Sequence, residues 1–257
     1  MTIDQILFEL NVIKSRLGAL LDEDGNRALA QAIDDIENQR LARRPKTKRK
    51  KKKLLRPWRL EIPLGTPLRF IPTMVSQDIR HRLSLDIACK IDEPRDGAPA
   101  GEHNICVRVW TDDLALYFRE ALDSEQLLDQ IDAAGGRRVM LRFHFDHANP
   151  GQPGPRHHLQ IGGVQHANEF CWFPDSLRVP RFCHHPLSLL MACEFVVRTF
   201  YPHVYEEISS EAAWRGAIAT AQTTYLSSYY ALQRVNTSSA VVKSSLLDRL
   251  WNSESNG

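Results

Sequence analysis

Cysteine is scarce in this chain of 257 residues, and its five copies are scattered. Cys89, Cys106, Cys171, Cys183 and Cys193 are odd in number and include no CxxC pair. A disulfide framework is therefore not indicated, and free thiols in a reducing compartment are the simplest reading. Long apolar runs are missing too. The longest, from Pro186 to Tyr201, is interrupted by Glu194 and Arg198, which leaves it too short and too charged to cross a bilayer. The first residues carry Asp4 and Glu9 among their apolar ones, unlike a signal peptide. A cytoplasmic protein is expected, or a nuclear one in a eukaryotic host.

Signatures that spacing alone can reveal are also absent. There is no GxxxxGK(S/T) loop and no GxGxxG between a strand and a helix, which argues against nucleotide hydrolysis of the P-loop type. No GxSxG elbow and no HExxH pair occurs. Nor is there a helix-turn-helix, zinc-finger or RNA-recognition signature, so base-specific reading of nucleic acid is not indicated.

What is present is the composition of an ordinary folded protein, 43% hydrophobic, 25% charged and 8% aromatic. That profile excludes wholesale disorder and a collagen-like fibre, and the length suits one large domain or two small ones. The net charge of +2 conceals an asymmetry. Residues 43 to 53, RRPKTKRKKKK, hold nine Lys or Arg in eleven positions, and the remaining 24 basic residues face 31 acidic ones, a balance of −7. Block charge of this kind marks a solvated, interacting stretch.

Apolar spacing organises the rest. Ile3, Ile6, Leu7, Leu10, Ile13, Leu17 and Leu20 recur at three- and four-residue steps and predict a helix, with Thr2 and Gln5 as its capping box. The run Asp22-Glu23-Asp24-Gly25-Asn26 breaks it, and Leu29, Ala32, Ile33 and Ile36 form the stripe of a second helix. Such a hairpin over 1–42 buries little alone, so it docks on the body or on a second copy. Residues 43–55 read as a flexible polybasic linker. The Pro-rich stretch that follows reads as extended chain over the surface, with the sheet beginning near His81.

Four alternating segments predict strands: Leu83 to Ile91, Ile105 to Trp110, Val139 to Asp146, and HHLQI at 157–161. Helical spacing intervenes at Leu114 to Ala121, with a further helix capped by Asp123 and ended by Gly135-Gly136. The order strand-strand-helix-strand-strand predicts an α+β fold with a mostly antiparallel sheet of about four strands. C-terminal helices complete the body over 56–252: one opened by His185 and Pro186, a long one from Ser209 or Ser210 carrying Trp214, Ile218, Ala221, Tyr225 and Leu232, and a short one near Leu246. Residues 253–257 read as a disordered tail.

Two features could carry chemistry. Lys46, Lys48, Arg49, Lys50, Lys51, Lys52 and Lys53 would bind nucleic acid or another polyanion through its phosphates, in a salt-sensitive manner, with Trp58 close enough to stack on a base. An import-like or membrane-phosphate patch and a merely solubilising linker are the other readings. The second feature is rich in histidine. Alternation puts Arg142, His144 and Asp146 on the face away from the core, and a hairpin with 157–161 adds His158 and Gln160, with Arg108 and Asp86 beyond. These groups suit proton transfer or phosphate contact, with His144 and His158 as acid and base and Arg142 and Gln160 beside them. Cys183 and His185, at the entrance to a helix, could join His158, and further His144 or Cys171, around a metal for which zinc is the natural candidate. The same side chains serve equally as caps and filling between sheet and helices. Glu194 and Arg198 read as an i, i+4 ion pair, or as a carboxylate reaching the histidines. The functional expectation is a non-enzymatic accessory protein that contacts nucleic acid, the alternative a phosphate-directed, nuclease-like hydrolase.

Overall fold

The computed structural model describes residues 2–43, 58–76, 79–92, 103–111, 138–147, 157–162 and 181–238. Helices α1 (Ile3–Leu17) and α2 (Glu23–Arg43) form the hairpin. Strands β1 (Arg59–Ile62), β2 (Leu68–Arg69), β3 (Thr73–Ser76), β4 (Ile79–Asp92), β5 (His103–Thr111), β6 (Arg138–His147), β7 (His157–Ile161) and β8 (Arg181–Cys183) follow, then helices α3 (Leu189–Phe200), α4 (Pro202–Ser210) and α5 (Ala212–Ser238). The fold is α+β, as the patterning predicts.

The strands make one antiparallel sheet in the order β1-β4-β5-β6-β7-β8, with β2 and β3 also pairing with β4. The four expected strands are thus joined by four shorter ones. Three of them come from the Pro-rich stretch, which is part of the sheet instead of a surface wrap. Pro63, Gly65 and Pro67 break that stretch into pieces too short for alternation to stand out, but β4 is long enough to pair with β1, β2 and β3 in turn. The helix expected over 114–121, its successor, the intervening loops, the piece near Leu246 and the tail lie outside the described residues.

Thr2 and Gln5 form the predicted capping box, and the stripe from Ile3 to Leu20 is buried, as are Leu29, Ala32, Ile33 and Ile36. These side chains belong to the same hydrophobic core as the sheet, α3 and α5. The hairpin therefore packs within the chain. Arg16 pairs with Glu211 at 2.6 Å and Arg40 with Asp4 at 2.7 Å, and the Gln39 amide donates to the Arg59 carbonyl and accepts from the Arg59 N–H.

The break between the two helices falls earlier than the acidic run suggests. It spans Gly18 to Asp22, because the Asp22 carboxylate accepts the Gly25 N–H while Asn26 Nδ2 donates to the carbonyls of Gly18, Leu21 and Asp22. Gly25 is inside α2, where a Cβ would stand 2.2 Å from the Arg69 carbonyl oxygen. It is there so that α2 can lie against the backbone of β2. The Asp22 N–H donates to that same oxygen, and the Ile71 N–H to the carbonyl of Leu20.

The C-terminal helices also differ from expectation at their ends. The helix predicted from His185 and Pro186 begins at Leu189, with Ser188 as its N-cap accepting from the Met191 N–H. A separate helix, α4, opens at Pro202 before the long one. Trp214, Ile218, Ala221 and Tyr225 of α5 are buried as their spacing requires. None of the described helices is long and apolar enough to cross a membrane.

Candidate functional site

Antiparallel pairing sets the polar residues of the sheet in rows. Asp86, Arg108 and Arg142 are successive cross-strand partners on β4, β5 and β6; Cys106, His144 and Gln160 form the next row; Asn104, Asp146, His158 and Cys183 form the one beyond. The hairpin register expected from sequence is the one observed, and His144, His158, Arg142 and Gln160 share a face. That face is not solvated, however. Asp86 is 4% exposed, Arg108 5%, Arg142 4% and His158 1%. Alternation marks two faces but does not say that one of them is wet. Here the middle of the second face is covered, with His144, Asp146 and Gln160 half-buried and Cys183 exposed toward the β8 edge.

Charges buried this deeply demand partners, and Arg108 has them. Its Nε and Nη2 donate to the two oxygens of Asp86 at 2.7 and 3.0 Å, and Nη2 also donates to the Leu64 carbonyl. The guanidinium lies 4.8 Å from the centre of the Trp110 ring, whose N–H donates to Asp86. Burial pushes the Asp86 carboxyl up, and the Arg108 charge and the Trp110 N–H pull it back. Arg142 donates to the carbonyl of Gly162, which among the described residues is the glycine with positive φ, 87°, a conformation that glycine adopts without strain. Burial and the neighbouring Arg142 push His144 down to about 4, against a hydrogen bond with Gln160. Its imidazole is neutral at pH 7, well below the range that suits an acid–base group working there.

The expected metal set does not assemble. His158 and Cys183 face each other across β7 and β8, but among the described residues no three His, Cys, Asp or Glu side chains are placed to share a metal ion. Cys171 lies outside those residues. Cys183 sits on β8, several residues before the α3 N-terminus, and burial pushes its thiol up instead of down.

His184 and His185 stack on each other, ring centres 4.2 Å apart, with His184 Nδ1 at 2.7 Å from the His185 carbonyl oxygen. Burial lowers both, His185 to about 4. They open onto a cavity that also takes in Glu194 and Arg198. The expected Glu194–Arg198 ion pair is not formed: Glu194 accepts from the Tyr205 hydroxyl at 3.2 Å, and the Arg198 guanidinium lies over the Tyr205 ring at 5.6 Å.

A histidine group on the other face escaped sequence reading. His147 and His157 are cross-strand partners with ring centres 4.7 Å apart, and the His184 N–H donates to the His157 carbonyl. His103 contacts both His157 and Tyr225, and Tyr229 adds to His157. His103 Nε2 lies 2.6 Å from the Leu187 carbonyl oxygen, and burial pushes the imidazole down to about 4. The available signal was parity: each of these residues is one step out of phase with Asp146, His158 and Cys183. His103 was hidden because its strand starts earlier than the apolar alternation.

The polybasic run lies outside the described residues, but its flanks do not. Arg43 ends α2 and Arg59 opens β1, and the Gln39 amide, one turn before the end of α2, holds the Arg59 backbone through two hydrogen bonds. Both ends of the segment are thus anchored on one patch of the body. Trp58 is 2% exposed and part of the core, so it is not the base-stacking platform that its position suggested. No known protein family, curated protein or solved structure matches the chain.

Proposed function

We propose that the protein is a non-enzymatic accessory protein that holds nucleic acid through the sugar-phosphate backbone, using the cations of residues 43–53. One observation carries this reading: nine Lys or Arg in eleven positions on a chain whose remainder is at −7. The acidic remainder repels a polyanion, so attraction is confined to the run. The chain positions flanking the run lie close together on the body, because Gln39 of α2 is hydrogen-bonded to the Arg59 backbone.

The test is fluorescence anisotropy of mixed-sequence duplex DNA and single-stranded RNA against the full chain and a variant lacking residues 46–53. Engagement of about six phosphates would lower affinity by roughly three orders of magnitude between about 50 and 200 mM salt. The variant should lose binding at every salt concentration. Equal binding by the two proteins would sink the reading.

The hydrolase alternative would have to bring a phosphate ester to Arg142 and His158, which are 4% and 1% exposed. Partners such as the Gly162 carbonyl tie this row into the fold, which supports a structural role for it.

A further inference from the structure

A second site lies on the helix-covered face of the sheet, opposite the row of Asp86, Arg108 and Arg142. A cavity of about 300 Å³ opens between β6, β7, the 184–187 segment, α3 and α5. Its size falls at the lower end of small-molecule sites. Six side chains build its apolar wall: Phe143, Phe145, Leu159, Leu187, Met191 and Phe195. The phenyl rings are fixed edge-to-face, Phe143 against Phe195 at 5.1 Å and Phe145 against His184 at 5.0 Å, an arrangement that leaves ring faces and edges for a further flat group.

The polar groups of the cavity are His184 and His185, Gln222 of α5, and Glu194 and Arg198 of α3. Glu194 and Arg198 stand four residues apart on α3, one above the other, and both line the cavity. They make no direct ion pair, although the Arg198 charge pulls the Glu194 carboxyl down. Glu194 uses one oxygen on the Tyr205 hydroxyl. Arg198 is exposed and touches only the Tyr205 ring face, with no acceptor for its N–H groups among the described residues. A carboxylate oxygen and a guanidinium fork therefore border an aromatic-walled space side by side. Burial raises the Glu194 carboxyl, which the Tyr205 hydroxyl and the Arg198 charge pull back down, and burial lowers both histidines, so their imidazoles are neutral at pH 7.

The geometry points to a binding site for a small aromatic zwitterion of the amino-acid type: the ring enters between Phe143, Phe145 and Phe195, the ligand carboxylate meets Arg198, and its ammonium meets Glu194. A bidentate guanidinium–carboxylate contact supplies orientation as well as affinity, and an aromatic body fits a wall built of ring edges. A purely anionic ligand would meet Glu194 unpaired, and a purely cationic one would meet Arg198. The pair of charges selects a ligand that carries both.

Calorimetric titration of the full chain with L-tryptophan, tryptamine, indole-3-propionate and indole tests this directly. L-tryptophan should saturate at one per chain with a Kd between about 10 μM and about 1 mM, ahead of all three analogues. Arg198→Met should weaken L-tryptophan at least about tenfold without weakening tryptamine, and Glu194→Gln should weaken both without weakening indole-3-propionate. Both substitutions are at the rim, and an unaltered melting temperature would confirm that the fold is intact. Absence of saturable L-tryptophan binding up to about 10 mM would overturn the proposal. So would binding that indole matches and neither variant alters, since the cavity would then be an unselective apolar void. The variant lacking 46–53 should bind L-tryptophan normally, so failure of the nucleic-acid reading leaves this one standing, and the reverse.

Discussion

The two faces of the sheet both bury residues at their centres, but by different means. The face toward the helices is built of Leu85, Ile87, Ile105, Val107 and Phe145, and burial of apolar area holds it together. The opposite face buries Asp86, Arg108, Arg142 and His158, and is held by hydrogen bonds whose geometry must be right. The first face tolerates exchange among similar apolar side chains. The second resists loss of any one partner, because the group left behind is a buried charge. The difference between them is how each fails.

The largest contrast should come from Asp86→Ala, which strands the Arg108 guanidinium and should cost about 3–5 kcal/mol in urea unfolding. Replacing the pair together, Asp86→Leu with Arg108→Met, should cost far less. Equal losses from the single and double variants would mean that the charge pair is not what holds this face.

On the helix side, Glu9 is the exception, a carboxyl 5% exposed that is hydrogen-bonded to the Ser188 side chain and the Leu190 backbone, with Oε2 left without a partner. Burial pushes it up from 4.5 to about 7. The folded chain therefore holds this proton more tightly than the unfolded one. Its contribution to stability is complete below pH 4.5, is lost as pH rises toward about 7, and stays lost above. Glu9→Gln should match the natural protein at pH 4 and exceed it by about 2–3 kcal/mol at pH 8. A constant difference between the two proteins across pH would contradict this account. His103 acts in the opposite sense: lowered from 6.5 to about 4, it costs stability as pH falls through that interval.

Two glycines give the smaller effects. Gly25→Ala forces a Cβ onto the Arg69 backbone and should destabilise by about 1–3 kcal/mol. Gly216, on the exposed side of α5, has nothing within 4 Å of its missing Cβ, and Gly216→Ala should stabilise by about 0.5–1 kcal/mol. Thermal melts of both variants measure the pair, and a stabilising Gly25→Ala would show that α2 does not need its close approach to β2.

The hairpin stripe, its capping box, the four long strands and the shared face of Arg142, His144, His158 and Gln160 were readable from sequence. Each depends on a local period of the chain, and the twofold and 3.6-fold periods follow from backbone geometry alone. The polybasic run was equally plain, since charge density needs no fold to be seen.

Other features depended on contacts between residues distant in sequence. Three strands in the Pro-rich stretch exist because β4 is long enough to pair with them in turn. Trp58 went into the core instead of toward a nucleic-acid base. Ser188 capped α3, where His185 and Pro186 had seemed to open it. Glu194 and Arg198, an ion pair by spacing, were separated because Tyr205 of the next helix receives both. Alternation in the chain determines which side chains share a face. Only the packed structure decides what covers that face, because burial is a property of neighbours that the local sequence does not contain.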